Sequence, residues 1–136
     1  GADKLALDWS EERYQFGRPI NEFQGLQWKL ADMSIKLAAA QALVYGAARS
    51  GEGGFPDMLL AAQAKVFTSE SAIQIVNEAL QFFGARGYSR ELPLERMARD
   101  VRMFTIGGGT AEVLRNVVAG AILKKKLPQT RDGWNR

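Results

Sequence analysis

The segment "NEFQGLQWKLADMSIKLAAAQALVYGAARS" (residues 21–50) decides the fold, because its apolar residues recur at helical spacing. Alternating steps of four and three positions separate these residues, which places one apolar stripe along a long helix. Helices with such a stripe pack against one another at shallow angles in bundles. The stripe consists of Leu26, Leu30, Met33, Leu37, Ala40, Val44 and Ala47.

A second long helix is predicted after a glycine-rich interruption. "RSGEGGFPD" (49–57) breaks the apolar pattern and reads as a linker between antiparallel helices. "GARGY" (84–88) ends the second helix, since its glycines supply the positive φ angles that a helix stop needs. The second stripe contains Leu59, Ala62, Val66, Ile73, Val76, Leu80 and Phe83, with Ser69 at the intervening position.

Shorter segments complete an all-α prediction. Residues 3–14 are expected to be helical, and "QFGRPI" (15–20) forms a corner before the long helix. "ELPLERMARDVRMF" (91–104) predicts a shorter helix with Pro93 in its first turn, and Thr110 is a good N-cap for the last helix. No period-two alternation or Asn-Gly turn indicates a hairpin. We therefore expect a four-helix up-down bundle with an additional short helix over residues 1–126, followed by a flexible tail, 127–136.

Composition narrows the function classes. The 136 residues are 46% hydrophobic and carry a formal net charge of +3, too small and scattered an excess to indicate nucleic-acid binding. Cysteine and histidine are both absent, which excludes disulfides, Cys/His zinc sites and imidazole-dependent triads. No Glu-x-x-His pairing suggests a carboxylate metal site, so none is predicted. No apolar run is long enough to span a bilayer, and we expect a soluble protein.

The segment "MFTIGGGTAEVLRN" (103–116) is the strongest local motif. A glycine-rich turn before a helix start is a common anion-binding arrangement, because unpaired N–H groups and the helix dipole both face the turn. However, the Walker lysine and a preceding strand are missing. From these residues alone, an anion site and a plain interhelical turn both remain open.

Four segments in order along the chain resemble the C-terminal helical domain of the acyl-CoA dehydrogenase family. "ERYQFGRPINEFQGLQWKLADM" (12–33) resembles the family's Arg-x-x-Phe-Gly region. "ALQFFGARGYSRELPLERMARD" (79–100) is similar to its Gln-x-x-Gly-Gly-x-Gly-Tyr segment and the following helix. "TIGGGTAEVLRN" and "ILKKKLP" are similar to the loop, last helix and C-terminal end. Together they are spread over nearly the whole chain.

The resemblance implies an FAD site assembled between subunits. Arg13 would meet the pyrophosphate of the flavin nucleotide in the partner subunit, and Gly84 would allow close approach of the backbone to the adenosine portion. Ala85 stands where the family usually has a second glycine, which is tolerated unless that position needs positive φ. Gly107 and Gly109 would line the substrate site. The cofactor-binding residues implied are Arg13, Gln15, Phe16, Gln24, Gln81, Gly84, Thr110 and Glu112.

The loop departs from the family at the catalytic base. Many members have Tyr-Glu-Gly-Thr, and the glutamate removes the α proton of the acyl-CoA. Gly108 occupies the glutamate position and Gly107 the tyrosine position, so no catalytic residue is assigned to this chain. In isovaleryl-CoA-dehydrogenase-like members the base lies on the first helix of this domain, here upstream of Gly1. In heteromeric bacterial members one subunit lacks the base. Both arrangements remain open.

The resemblance also implies a function. We expect the chain to be the C-terminal domain of an FAD-dependent acyl-CoA dehydrogenase. It would be inactive alone, because catalysis needs the flavin, a positioned base and a closed site together. Its partners would be an acyl-CoA substrate, an electron-transferring flavoprotein and further subunits in a homo- or hetero-oligomer, dimer or tetramer. The protein would be cytoplasmic in a bacterium or lie in the mitochondrial matrix of a eukaryote. The alternatives are a non-catalytic helical oligomerisation module, a base-less subunit of a heteromeric enzyme, and a related oxidase or monooxygenase.

Overall fold

The structure, a computed structural model, describes residues 1–127 and is mostly helical, which confirms the all-α prediction. Most of the predicted tail, residues 128–136, lies outside the described residues. The elements are α1 (Ala2–Glu12), β1 (Tyr14–Gln15), β2 (Arg18–Pro19), a 3₁₀ helix (Ile20–Glu22), α2 (Gln24–Arg49), α3 (Met58–Phe83), α4 (Ala85–Tyr88), α5 (Leu94–Met103) and α6 (Ala111–Leu123).

The chain forms two compact units, to which α2 and α3 both contribute. The first unit comprises Gly1–Ala39 and Ser71–Arg102, and the second comprises Ala40–Glu70 and the chain from Met103 onward. In the first unit, Leu26, Leu30 and Leu37 of the predicted α2 stripe pack against a core that includes the buried Met33. The core of this unit consists of Ala2, Ala6, Ile20, Met33, Ile75, Val76, Ala79, Phe82 and Leu94.

The amphipathic pattern of α5 fixes how this helix joins the first unit. Leu94 is fully buried, and Met97, Ala98 and Val101 on the same face pack against the core. On the other face Glu95 accepts two hydrogen bonds from Arg99, one turn further along. The helix begins at Leu94, so Pro93 precedes it instead of lying in its first turn.

The second unit buries only small side chains among its described residues, namely Ala47, Ala62, Ala64, Ser69, Thr105 and Ala111. Val44, which belongs to the predicted apolar stripe of α2, is 47% exposed. Phe55 and Ile122 are also exposed. The sequence pattern therefore identified the apolar face of the helix in this unit, but it did not show which residues of that face are buried.

Two local predictions need correction at the corner before α2. α1 ends at Glu12, and residues 14–19 form a minimal antiparallel hairpin in which Tyr14 pairs with Pro19 and Gln15 with Arg18. Phe16 and Gly17 form the two-residue turn with φ of +53° and +79°. Two consecutive positive φ angles are typical of tight hairpins, where Asn-Gly is the usual pair. The sequence did not predict this turn, because Phe-Gly is not the usual pair of turn residues.

At the end of α3, the predicted positive φ is found at one of the two glycines. Gly84 has φ of +56°, as a helix stop requires, whereas Gly87 is not among the residues with positive φ, and neither is Ala85. Gly87 is needed for a different reason. A Cβ atom at this position would lie 2.5 Å from the Leu80 carbonyl oxygen and 2.9 Å from the Phe83 Cβ. Ala85 is therefore tolerated, and Gly87 permits a close backbone approach.

Candidate functional site

The first unit contains a pocket of about 320 Å³ that brings together four of the predicted cofactor-binding residues. Arg13 and Gln15 reach it from the chain that follows α1, and Gln81 and Gly84 reach it from the end of α3. These positions are distant in sequence, so the fold itself assembles the pocket. Its lining consists of Trp9, Arg13, Gln15, Ile20, Gln81, Phe82, Phe83, Gly84, Ala85 and Arg86.

The backbone of Arg13 is held at both of its polar groups. Its N–H donates to the Trp9 carbonyl oxygen at 2.9 Å and closes α1. Its carbonyl oxygen accepts a hydrogen bond of 2.8 Å from the Ile20 N–H. The exposed residue Arg13 therefore lines the pocket from a fixed point of the chain.

Trp9 forms one wall of the pocket and joins α1 to α3. Its indole N–H donates to the Phe82 carbonyl oxygen at 3.1 Å, and its ring stacks on Phe83 with a centroid separation of 4.9 Å. The Arg86 guanidinium lies 4.8 Å from the Trp9 ring centroid, in a cation–π contact. Sequence analysis did not assign Arg86 to the site. The only available signal was a basic residue two positions after Gly84.

The polar lining is complementary to an anion. Arg13 and Arg86 supply guanidinium groups, Gln15 and Gln81 supply amides, and no carboxylate is present among the lining residues. Guanidinium groups form charge-assisted, bidentate hydrogen bonds with phosphate oxygens. The pocket is therefore chemically suited to a phosphate or pyrophosphate group.

Phe16 is the most unusual of the predicted residues. It is 90% exposed and adopts a positive φ, a conformation that is uncommon for an aromatic residue. Its ring has one edge-to-face contact with Phe23, at a centroid distance of 6.1 Å. The corner phenylalanine is therefore outside the core of the first unit, and it projects from the hairpin turn.

Gln24 does not line this pocket. It is the first residue of α2 and is exposed. Its predicted contact with the cofactor stays a prediction.

The glycine loop lies in the second unit and leads into α6. Gly108 and Gly109 have φ of +69° and +93°. Thr110 caps α6 as predicted, since its side-chain oxygen accepts a hydrogen bond of 3.2 Å from the Val113 N–H. Glu112 lies in the first turn of α6, where a carboxylate complements the helix dipole. The substrate-binding roles of Gly107 and Gly109 and the cofactor-binding roles of Thr110 and Glu112 stay predictions.

The loop conformation explains why glycines occupy the positions of tyrosine and glutamate. A Cβ at Gly107 would lie 2.8 Å from the Met103 sulfur, so a larger residue requires Met103 to move. A Cβ at Gly108 meets no atom within 4 Å, but its positive φ strains any L-residue there. Lys65 of α3 donates from Nζ to the Gly107 and Gly109 carbonyl oxygens at 2.8 and 2.5 Å. The backbone is thus specialised for glycine.

Within residues 1–127, no group of three or more carboxylates is placed to bind a metal ion. None of the described helices is long and apolar enough to cross a membrane.

Comparison with known proteins places these features in a family. The family model of the acyl-CoA dehydrogenase C-terminal domain, which describes the sequences of that family, matches residues 2–123 of this chain. A 3-sulfinopropanoyl-CoA desulfinase of Paraburkholderia xenovorans is 62% identical over 131 residues, which cover 96% of this chain and 34% of that protein. A short-chain-specific acyl-CoA dehydrogenase of Clostridium acetobutylicum is 40% identical over 124 residues, which cover 91% of this chain and 33% of that protein.

A solved structure supports the same assignment. The butyryl-CoA dehydrogenase of Megasphaera elsdenii superposes with a TM-score of 0.86 at 43% identity, covering 90% of this chain and 32% of that chain. The chain thus spans about a third of the length of the proteins it matches. These matches show that the chain belongs to the acyl-CoA dehydrogenase family and corresponds to the family's C-terminal helical domain.

Proposed function

We propose that the pocket of the first unit binds the pyrophosphate portion of FAD and that the chain acts as one part of a larger flavoenzyme. The observation that supports this proposal most directly is the composition of the pocket lining, which contains Arg13, Arg86, two glutamine amides and no carboxylate. These donors fit a doubly charged pyrophosphate. Gly84 leaves its neighbourhood open, because a Cβ there would meet no atom within 4 Å. FAD, when bound, would supply the redox chemistry that a dehydrogenase of this family requires.

The hairpin supports this proposal independently of charge. Phe16 combines nearly complete exposure with a strained backbone. Strained residues cluster at functional sites, where the surrounding structure maintains them. In our proposal the Phe16 ring contacts the bound cofactor, which removes its apolar surface from water. Arg18 helps to hold the turn, since its guanidinium lies 4.2 Å from the centroid of the Phe23 ring.

For the complete enzyme, we propose redox-neutral desulfination of a 3-sulfinoacyl-CoA. The greater similarity to a 3-sulfinopropanoyl-CoA desulfinase, 62% against 40% for the Clostridium dehydrogenase, supports this choice. Gly108 supports it too, because dehydrogenation requires a base for the α proton and glycine offers none. In the net reaction the bond from C3 to sulfur breaks and a C–H bond forms at C3. One water is consumed and sulfite leaves, so no electron acceptor is needed.

The second candidate is α,β-dehydrogenation of an acyl-CoA with the base supplied from elsewhere. The similarity to the Clostridium and Megasphaera dehydrogenases, at 40% and 43% identity, favours it. This reaction removes two electrons from the substrate, and an electron-transferring flavoprotein would accept them. The dependence on an electron acceptor therefore distinguishes the two candidates.

We also propose that the second unit contributes to assembly. Its exposed apolar side chains include Phe55, Phe67 and Ile122, and a large exposed apolar surface commonly marks an interaction site. A dimer or tetramer of the complete enzyme would cover them. A soluble cytoplasmic or matrix location is consistent with such an assembly.

A chimera tests the proposed reaction. This chain replaces the matching segment of the Paraburkholderia xenovorans desulfinase, and sulfite release from 3-sulfinopropanoyl-CoA is followed without an electron acceptor. We expect release at a rate within about tenfold of the parent enzyme. A chimera that contains FAD and is folded, releases no sulfite and instead oxidises butanoyl-CoA with an added acceptor would contradict desulfination and establish the second candidate.

Two arginine variants of the same chimera test the cofactor pocket. Arg13→Ala removes a lining guanidinium, whereas Arg96→Ala removes an exposed one on α5 that does not line the pocket. We expect FAD affinity to fall about tenfold to hundredfold in Arg13→Ala, as for a lost charge-assisted hydrogen bond. Arg96→Ala should leave FAD affinity unchanged. Equal affinities in both variants would refute the assignment of Arg13.

A further inference from the structure

We propose that Lys65 is a positioning residue that holds the glycine loop in its left-handed conformation through its charge. Lys65 lies on α3, 42 residues before the loop in sequence, and is only partly exposed. Its Nζ donates to the carbonyl oxygens of Gly107 and Gly109, at 2.8 and 2.5 Å. The functional consequence rests on the proposed function, in which this loop lines the acyl site.

The surroundings of Lys65 direct its charge toward the loop. Within residues 1–127 the ammonium has no carboxylate partner, so the loop carbonyls are its hydrogen-bond acceptors. It opens onto a pocket of about 450 Å³ in the second unit whose other side chains are apolar. A hydrogen bond from an ammonium group to a carbonyl oxygen is charge-assisted and therefore stronger than a bond between neutral groups. The side chains lining this pocket besides Lys65 belong to Phe55, Pro56, Met58, Ala61, Ala62, Leu114 and Val117.

Binding both carbonyls also orients the N–H groups of the loop. All described peptide bonds are trans, and a trans peptide places its N–H opposite its carbonyl oxygen. The N–H groups that follow the two bound carbonyls belong to Gly108 and Thr110, and both therefore point away from Lys65. Neither donates a hydrogen bond to another described residue. One lysine thus presents two donors on the opposite side of the loop.

The two hydrogen bonds from Lys65 to the loop, here called the lysine clamp, are needed because the loop consists of glycines. Glycine loses more conformational freedom on folding than any other residue, so three in succession favour disorder. Met103 and Thr105 supply further restraints, since their carbonyl oxygens accept from the Gly107 and Ala111 N–H groups. These bonds fix the two ends of the loop. Lys65 is the described side chain that binds its middle.

The direct test is amide hydrogen exchange of this chain at Gly107 and Ala111, whose N–H groups are bonded. Lys65→Met removes the ammonium and keeps the length of the side chain, and Lys65→Arg restores the charge. Lys125→Met is the matched control, because Lys125 is exposed in the same unit. We expect exchange about tenfold faster in Lys65→Met, as for a local opening, and partial recovery in Lys65→Arg. Rates within twofold of the unaltered chain in Lys65→Met would overturn the proposal.

A second measurement, of kcat/KM, connects the lysine clamp to catalysis. In the chimera, Lys65→Met should lower kcat/KM for the acyl-CoA by about tenfold to hundredfold, as for a small displacement of a positioned group. FAD content should not change, and Lys65→Arg should recover part of the loss. If Lys65→Met fails to fold, Lys65→Gln, with a neutral donor, replaces it in both tests. Should the unaltered chimera release no sulfite, the proposed reaction fails, while hydrogen exchange still decides the role of Lys65.

Discussion

The two units of the chain bury different kinds of side chain. The first unit has a core of large apolar residues that includes Met33, Phe82 and the fully buried Leu94. Among the described residues of the second unit, the buried side chains are alanines, one serine and one threonine. Burial of large apolar groups is the main source of stability. The first unit therefore gains more stability from buried large side chains, although both units expose apolar residues, such as Phe16 in the first and Phe55 in the second.

This difference also separates the two candidate functional regions. The cofactor pocket is built on the well-packed first unit, where Trp9 and Phe83 stack directly beside it. The glycine loop belongs to the second unit and depends on hydrogen bonds from Lys65. We therefore expect the pocket to tolerate surface changes and the loop to respond to the loss of a single polar contact.

The largest expected effect tests the contrast in packing. Leu94→Ala should lower the free energy of unfolding by about 2–5 kcal/mol, because it opens a cavity in the first unit. Ile122→Ala, in the second unit, should change it by less than about 0.5 kcal/mol, since Ile122 is 66% exposed. Urea unfolding of dilute chain, followed by circular dichroism, measures both. Equal losses of unfolding free energy in the two variants would contradict the proposed difference in packing between the two units.

A pair of glycine substitutions sharpens the comparison. Gly87→Ala should destabilise the chain by about 1–3 kcal/mol, because its Cβ collides with the backbone of α3. Gly46→Ala, on α2 in the second unit, meets no atom within 4 Å and should stabilise the helix by about 0.5–1 kcal/mol. Thermal unfolding gives the sign directly. A stable Gly87→Ala variant would show that α3 and α4 are not in close backbone contact.

A smaller effect is expected at the start of α6. Thr110→Ala removes the cap and should cost about 1 kcal/mol, whereas Thr110→Ser keeps the capping oxygen and should cost less. Urea unfolding of both variants, with amide exchange at Val113, measures the effect. Identical behaviour of the alanine and serine variants would mean that the cap does not stabilise α6.

The smallest expected effect concerns the ion pair between Glu70 and Arg115. The side chains are 40% and 52% exposed, with an N–O distance of 2.7 Å. A double-mutant cycle with Glu70→Gln and Arg115→Gln should give a coupling below about 1 kcal/mol that weakens in salt. A larger coupling that is insensitive to salt would mean that this part of the second unit is shielded from solvent.

The sequence predicted what depends on local periodicity. The stripe of α2, the cap at Thr110 and the helix stop at Gly84 all follow from spacing or from the chemistry of one residue. Four predicted cofactor residues also meet in one pocket, because the family resemblance ties their positions to a common fold.

The remaining features depend on contacts that no local pattern encodes. The requirement for Gly87 comes from a close approach to Leu80, and Lys65 reaches a loop 42 residues away. Phe16 and Gly17 form a hairpin turn without the usual turn residues. The exposure of Val44 could not be predicted either, because periodicity identifies a helix face without showing what covers it.

The central claim, that the first unit contains a nucleotide-binding pocket, is tested most directly by titrating FAD into the purified chain. Quenching of flavin fluorescence reports binding, and Trp9 in the pocket wall provides a second signal. We predict saturable binding that is lost in Arg13→Ala and kept in Arg96→Ala, with all three proteins folded by circular dichroism. No saturable binding to the folded chain, or equal binding by Arg13→Ala, would contradict the claim.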